Sequence, residues 1–263
     1  MPSDRARQAL FLDFDGTLAP ISPDPGSVRL SAARLSCLER IASRLPVFVI
    51  SGRGWTDLLS RLPVPSLAGL SGDHGAVRRF GREISYDPLA LSVKETLARL
   101  FPGLDALAKA MPGLVAERKD YSLTLHYRAL PDSHIAEAWQ RVSGLVAAFP
   151  EREVLRISPG KRVWEIRPRA GITKEDTLEF FLGRLSASPA FSGMRPLPVM
   201  AGDDTTDLGA ISRAIDLGGT GYWVGKTAPP DLDSRAGLLA DPDAVWRLIG
   251  TLSETAVGDG GRG

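Results

Sequence analysis

Two aspartates, Asp13 and Asp15, flank Phe14 at the end of the apolar run Ala9-Leu10-Phe11-Leu12, and Gly16 and Thr17 follow them. Side chains alternate along an extended strand, so positions 13 and 15 present their carboxylates on one side while Gly16 permits a tight backbone turn. One carboxylate placed in this way can attack an electrophile while its neighbour gives and takes protons. A solvated acidic turn is the bland alternative. It loses weight because a second acidic cluster, Gly202-Asp203-Asp204-Thr205-Thr206-Asp207, follows another apolar run at 197–201. Ser51-Gly52-Arg53 ends a third run, 46–50, and Lys174 opens a helix-period segment from which its ammonium could reach a bound anion. Taken singly, Ser51 could cap a helix, the 202–207 acids could sit at a helix N-terminus, and Lys174 could be a solvated surface lysine. His74, within Gly72-Asp73-His74-Gly75, reads as a structural or supporting residue, because a metal site among these acids would be built from oxygen.

These groups meet only if the runs that carry them lie side by side. Short apolar runs ending in acidic, Ser or Gly-rich turns alternate with helix-period segments, which predicts an α/β fold with a Rossmann-like parallel sheet. In such sheets ligands bind at the carboxyl ends of the strands, where Asp13, Asp15, Ser51, Asp203 and Asp204 all fall. The spacing predicts a helix over 31–45, capped by Ser31, with Leu35, Leu38, Ile41, Ala42 and Leu45 on one face and Cys37 packed beside them. A buried strand follows over 46–50 and a weaker one over 67–71. From Tyr86 the pattern changes to helices over 88–101 and 104–111, strands over 114–119 and 122–128, and a helix over 132–149. Strands over 153–157 and 162–166, joined by a turn at Ser158-Pro159-Gly160, complete an α+β module. The first pattern returns with a helix over 173–185, strands over 197–201 and 222–225, and a helix over 242–252, before a tail from Gly258 that is expected to be disordered. The expected division is a core over 1–85 and 169–263 with an inserted α+β domain over 86–168.

Composition narrows the class. With 32 Lys and Arg against 31 Asp and Glu, the chain has no polyanion footprint, so no nucleic-acid partner is expected and any anion must be held by a local site. At 263 residues, 43% hydrophobic and 24% charged, it suits one large globular domain or a core with one insertion. Cys37 is the single cysteine, which excludes an internal disulfide and fits a reducing, cytoplasmic setting. No apolar stretch approaches the ~18 residues of a membrane span, and the opening residues carry no apolar leader, so no membrane partner is expected. Oligomeric state is not legible; a monomer is the expectation.

In chain order, Asp13 to Thr17, Ser51, Lys174 and Gly202 to Asp207 resemble the four motifs of the haloacid-dehalogenase (HAD) phosphatase superfamily, and the insertion resembles its second (C2) type of cap domain. Within that superfamily the chain is similar to the trehalose-6-phosphate phosphatases over about residues 10–245. The similarity rests on Ser51-Gly52-Arg53, Gly72-Asp73-His74-Gly75-Ala76, Glu117-Arg118-Lys119, His126-Tyr127-Arg128, Gly160-Lys161-Arg162-Val163-Trp164-Glu165-Ile166-Arg167-Pro168 and Gly202 to Asp207. Two departures are Lys174-Glu175 where that family often has Lys-Gly, and Asp73 where it often has Glu before the His.

The resemblance implies Mg²⁺-dependent hydrolysis of a small-molecule sugar phosphate, trehalose 6-phosphate, through an aspartyl-phosphate. Asp13 would be the nucleophile and Asp15 the acid and then the base. Ser51, Gly52 and Lys174 would lie at the phosphate. The metal would take Asp13, the backbone carbonyl of Asp15, and Asp203, with Thr17, Asp204 and Asp207 supporting that shell. Attack by an ionised carboxylate on a phosphate dianion meets ~4 kcal/mol of repulsion per charge pair at 4 Å and an effective dielectric of 20, which a hard divalent ion offsets. Sugar contacts would come from Arg53, His74, Glu117, Lys119, Lys161 and Glu165. Strand alternation puts Lys161, Val163 and Glu165 on one face and Arg162, Trp164 and Ile166 on the other, with Glu117 and Lys119 sharing a face as well. Cross-strand ion pairing on a solvated face is the alternative to a sugar-binding lid. Either Lys174 or Lys161 could meet the phosphate; Lys174 is favoured because it follows the return to the core. Other substrates, sucrose 6-phosphate or a glycosyl-phosphoglycerate, remain open. So does a silent binding module, though the intact Asp13, Asp15, Lys174 and Asp203 weigh against it.

Overall fold

The computed structural model describes residues 6–160, 162–169 and 171–258. The chain forms two compact units, one spanning Tyr86–Gly171 and the other the segments on either side of it. In chain order the elements before the insertion are β1 Ala6–Leu12, α1 Ala32–Ala42, β2 Val47–Ile50, α2 Trp55–Arg61, β3 Gly69–Gly72, β4 Val77–Phe80 and β5 Glu83–Tyr86. The second unit contains α3 Pro88–Lys109, β6 Val115–Arg118, β7 Leu123–His126, α4 Asp132–Ala147, β8 Leu155–Gly160 and β9 Val163–Pro168. The chain then returns as α5 Lys174–Ser186, β10 Arg195–Gly202, α6 Leu208–Asp216, β11 Thr220–Val224, β12 Gly237–Leu239 and α7 Pro242–Gly258.

The first unit is built on an eight-stranded sheet of order β12-β11-β10-β1-β2-β3-β4-β5. It is parallel from β12 to β3, and β4 pairs antiparallel with β3. Strand alternation divides the apolar residues between two faces. Leu10, Leu12, Val47 and Val49 pack with Leu38, Ile41, Val245 and Ile249 on one side. Ala9, Phe11, Phe48 and Ile50 pack with Leu178, Phe181 and Ile211 on the other. Phe11 and Phe48 stack across β1 and β2 with ring centroids 4.7 Å apart. Each large side chain so buried contributes about 1.5–3 kcal/mol, and both faces must be covered for a parallel sheet to hold. Chain order runs outward on both sides of the β1–β10 pair, whose register sets Leu12 beside Ala201. Asp13 and Asp203 therefore emerge at the switch point where such sheets open to ligands.

In the second unit the antiparallel sheet β6-β7-β9-β8 turns Leu123, Leu125, Trp164 and Ile166 toward the apolar stripes of α3 and α4. Among the described residues no helix is long and apolar enough to cross a membrane.

Several expected elements shift. The helices expected over 88–101 and 104–111 are one helix that carries Pro102 inside it. The buried stripe Val93, Leu97, Leu100, Leu104 and Ala108 runs straight through, so packing outweighs the single hydrogen bond that proline removes. The turn expected at Ser158-Pro159-Gly160 is instead strand: all three lie in β8, Pro159 sits opposite Trp164, and the chain reverses just after Gly160, with Arg162 at φ +62°. β8 is an edge strand, where a missing proline N–H costs no ladder bond. Arg162 consequently leaves the alternation that was expected to pair it with Trp164 and Ile166. The helix over 55–61, the strands β4 and β5, and the short β12 had no counterpart in the sequence reading. Residues 259–263 of the expected disordered tail lie outside the described residues.

Candidate active site

Asp13 follows β1 directly, buried, with its amide donating to the Ala201 carbonyl at 3.0 Å. The turn after it closes on itself, because the amides of Leu18 and Ala19 both donate to the Phe14 carbonyl, at 3.0 and 2.9 Å. Gly16 takes φ +86°, and a Cβ there would overlap the Asp203 carboxylate. Glycine at that position lets the two acidic motifs close on each other.

Lys174 is the first residue of α5, after Thr173 and Asp176 complete a reciprocal capping box. The cap directs the lysine inward, where its Nζ donates to Asp13 Oδ1 at 2.7 Å and to Asp207 Oδ1 at 2.6 Å. The other oxygen of Asp207 accepts the Asp204 amide at 3.0 Å. The Asp204 carboxylate turns back on its own loop and accepts the Thr205 amide at 2.6 Å. Thr17 is wholly buried beside this turn, and its Oγ1 has no hydrogen-bond partner among the described residues.

Asp13, Asp203 and Asp207 each bring a carboxylate oxygen within 4.8 Å of the others, and all three are buried. Three carboxylates and one ammonium leave a formal surplus of −2. Burial pushes the Asp13 carboxyl well above its usual range against the pull of Lys174, and Asp207 and Asp203 push it further. Burial opposes the charged form of Lys174, but Asp13 and Asp207 outweigh it and raise the ammonium's pKa. A hard divalent cation with oxygen ligands matches both the donor set and the missing charge. The cluster groups Asp207, and not the Asp15 carboxylate, with Asp13 and Asp203.

The Asp15 carboxylate faces Arg53. Nε of Arg53 donates to Oδ2 at 2.6 Å, Nη2 to Oδ1 at 2.5 Å, and Nη1 reaches Asp57 Oδ2 at 2.9 Å. Arg61, itself buried, donates to the same Asp57 at 2.7 and 2.6 Å. Burial alone would raise the Asp57 pKa, but the hydrogen bonds from Arg61 and Arg53 hold it below the usual carboxylate range. Asp57 and Arg61 were not anticipated; the signal available was charge of alternating sign at positions 53, 57 and 61, four apart. Ser51 is buried at the end of β2, and its Oγ accepts the Arg53 amide at 3.2 Å. Gly52 lies against the His74 ring, which a Cβ at position 52 would overlap.

The second unit carries its own polar face. Glu117, Thr124, Glu165 and Ser158 form one row across β6, β7, β9 and β8. Lys119 Nζ and Arg167 Nε each lie 3.8 Å from the Glu165 carboxylate, and His126 Nε2 is 2.8 Å from Glu117 Oε2. The Lys119, Glu165 and Arg167 side chains are 12, 16 and 12% exposed, so these are mostly buried charges rather than a solvated ladder. Lys161 lies outside the described residues.

Solved structures place this architecture. A haloacid dehalogenase-like hydrolase from Bacteroides thetaiotaomicron matches with TM-score 0.62 and 16% identity, covering 93% of this chain and 99% of its own. A trehalose-6-phosphate phosphatase related protein matches with TM-score 0.80 and 22% identity over 96% of this chain and all of that one. The fold is thus that of the HAD-like hydrolases. Residues 11–214 match the trehalose-phosphatase family model, and the chain belongs to that family. The trehalose-phosphate phosphatase of Mycobacterium leprae (strain TN) is 32% identical over 261 residues, 95% of this chain and 59% of the relative. The chain spans about half to three-fifths of the length of the curated relatives it matches.

Proposed function

We propose that the protein is a Mg²⁺-dependent phosphatase that hydrolyses trehalose 6-phosphate to trehalose and phosphate through an aspartyl-phosphate on Asp13. The observation that carries this reading is the buried contact of Lys174 with both Asp13 and Asp207 beside Asp203, a site whose carboxylates outnumber its ammonium by two. Family membership and the name of the M. leprae relative support the substrate.

Asp13 attacks phosphorus in line as the bond to the sugar oxygen breaks, and Asp15 gives that oxygen its proton. Asp15, now ionised, takes a proton from the water that attacks the aspartyl-phosphate, so the second displacement releases phosphate and restores both aspartates. Lys174 holds Asp13 through Oδ1, which leaves Oδ2 as the attacking atom, and Asp207 anchors the lysine. Arg53 orients Asp15 through both oxygens, which fixes the position of the carboxyl group that serves both displacements. Asp13, Asp203 and the backbone carbonyl of Asp15 would hold Mg²⁺, which would supply positive charge against the repulsion between nucleophile and phosphoryl oxygens. Ser51 and the Gly52 amide receive the phosphate, while Thr17, Asp204 and Asp207 keep the acidic loops in place.

Residues 86–168 are proposed to act as the sugar-recognising cap on a core of 1–85 and 169–263. Glu117, Lys119, Lys161 and Glu165 would meet the disaccharide hydroxyls, with His74 and Arg53 near the phosphate. A single cysteine suits a cytoplasmic setting. The test is phosphate release with Mg²⁺ across trehalose 6-phosphate, sucrose 6-phosphate, glycosyl-phosphoglycerates and p-nitrophenyl phosphate. Preference for trehalose 6-phosphate is expected. Preference for another sugar would overturn the substrate and leave the chemistry, and no release from any ester would overturn both.

A further inference from the structure

The turn after β3 holds Asp73, His74 and Gly75 at φ +49°, +53° and +98°, three successive residues in the left-handed region. Such a run is costly for side chains with a Cβ and persists only where surrounding contacts fix it. Three of those contacts grip the loop that carries Ser51 and Arg53, while Gly75 packs closely against Ile172 and Thr177. The Asp73 amide donates to the Arg53 carbonyl at 2.7 Å, and the His74 amide donates to the Ser51 carbonyl at 3.2 Å. The Asp73 side chain, 4% exposed, accepts the Trp55 amide through Oδ2 at 2.9 Å. That amide opens α2, whose preceding residue, Gly54, offers no side-chain cap. Asp73 therefore takes the role of the missing cap from the turn after β3. Its αL backbone is what brings its own amide and its carboxylate to bear on the same loop, at Arg53 and Trp55.

We propose that Asp73 is a positioning residue for the phosphatase chemistry: it fixes the Ser51–Trp55 loop so that the Arg53 guanidinium meets Asp15 through two bonds. The proposal rests on the phosphatase reading above, and it assigns Asp73 no contact with substrate. Its consequence is that Asp73 and Arg53 act in series. Asparagine tolerates the left-handed backbone and keeps an oxygen acceptor for Trp55, whereas alanine keeps neither advantage.

A double-mutant cycle over Asp73→Ala and Arg53→Gln tests this, with kcat and KM read on trehalose 6-phosphate and on p-nitrophenyl phosphate. Asp73→Ala is expected to lower kcat at least about fivefold with KM within about twofold, and the double variant should match Arg53→Gln alone within about twofold. Asp73→Asn should keep at least about half of wild-type kcat. Hydrogen exchange over residues 51–55 should accelerate in Asp73→Ala and stay near wild type in Asp73→Asn, a readout independent of turnover. Losses that multiply in the double variant, or unchanged kcat and exchange in Asp73→Ala, would overturn the proposal. If Asp73→Ala does not fold, Asp73→Asn carries the test: a folded Asn variant with kcat down tenfold would show that charge, not loop geometry, is what Asp73 supplies. A wild-type protein with no phosphatase activity would instead sink the functional reading, while the exchange data would still judge the role of Asp73 in the loop.

Discussion

Arg53 grips Asp15 by both oxygens, at 2.6 and 2.5 Å, across 38 residues of chain. A planar guanidinium matches a carboxylate in this way and an ammonium does not, so Arg53→Lys keeps the charge and loses the geometry. It should lower kcat on trehalose 6-phosphate by at least about tenfold, the change expected for an interaction that serves the reaction step. Asp15→Asn should cost ~10² to 10⁴ in rate, as for loss of a placed acid and base. Steady-state kinetics decide the role of the arginine: a raised KM with unchanged kcat would make Arg53 a sugar contact instead.

Removing Lys174 leaves three buried carboxylates with no cation between them. Lys174→Met should destabilise the metal-free protein by about 3–5 kcal/mol, the range for breaking one side of a buried ion pair. Carboxyl groups whose folded pKa is raised above the unfolded value lose stability as pH rises through the folded pKa. The variant's deficit in thermal melting should therefore widen from pH 5 to pH 8. Turnover should fall on every ester, including p-nitrophenyl phosphate. A loss confined to the disaccharide would transfer the phosphate role to Lys161.

Asp13→Asn should abolish turnover and leave the fold intact. Burial has already pushed the Asp13 carboxyl up, so in the metal-free protein its charged form is a burden that grows as pH rises. The Asn variant should melt at or above wild type at pH 8 without metal. Mg²⁺ at about 100 times its Kd should raise wild-type melting by about 5–10 °C, from ~2.7 kcal/mol of linkage, and shift the variant far less. Equal shifts in both proteins would remove Asp13 from the metal site, and full activity in excess chelator would remove the metal from the reaction.

The strand ends that carry Asp13, Ser51 and Asp203 were legible because each follows an apolar run, and burial on both faces of a parallel sheet leaves little else for such runs to be. Lys174 was placed at the start of a helix, and the Thr173–Asp176 capping box gives the physical reason. Other features depend on partners far along the chain. Nothing local in Val77–Phe80 or Glu83–Tyr86 marks an edge hairpin, since Arg78, Arg79 and Glu83 break the apolar pattern. Pro102 and Pro159 read as breaks because a proline's cost is visible in sequence, while the burial or edge position that offsets it is not. The hold of Arg53 on Asp15 and of Asp73 on the Trp55 amide was invisible for the same reason: both are set by the register of β1, β2 and β3.

Specificity should reside in the polar row of the second unit. Glu165 sits between Lys119 and Arg167, each 3.8 Å from its carboxylate. A sugar hydroxyl can donate to Glu165 and accept from Lys119 at once. A site built on such bonds discriminates by leaving buried polar groups unpaired when the wrong sugar enters. Glu165→Ala should cost at least ~1.5 kcal/mol, about tenfold in kcat/KM, on trehalose 6-phosphate. Glu117→Ala should do the same, with the added loss of its His126 partner. Both variants should keep wild-type rates on p-nitrophenyl phosphate, which has no sugar hydroxyls to recognise. Removing Glu165 also leaves Lys119 and Arg167 facing each other, so melting must be measured beside kinetics. Equal losses on both esters with a lowered melting temperature would assign the glutamates to the stability of their sheet; loss on the disaccharide alone, in a protein that melts like wild type, would assign them to the sugar.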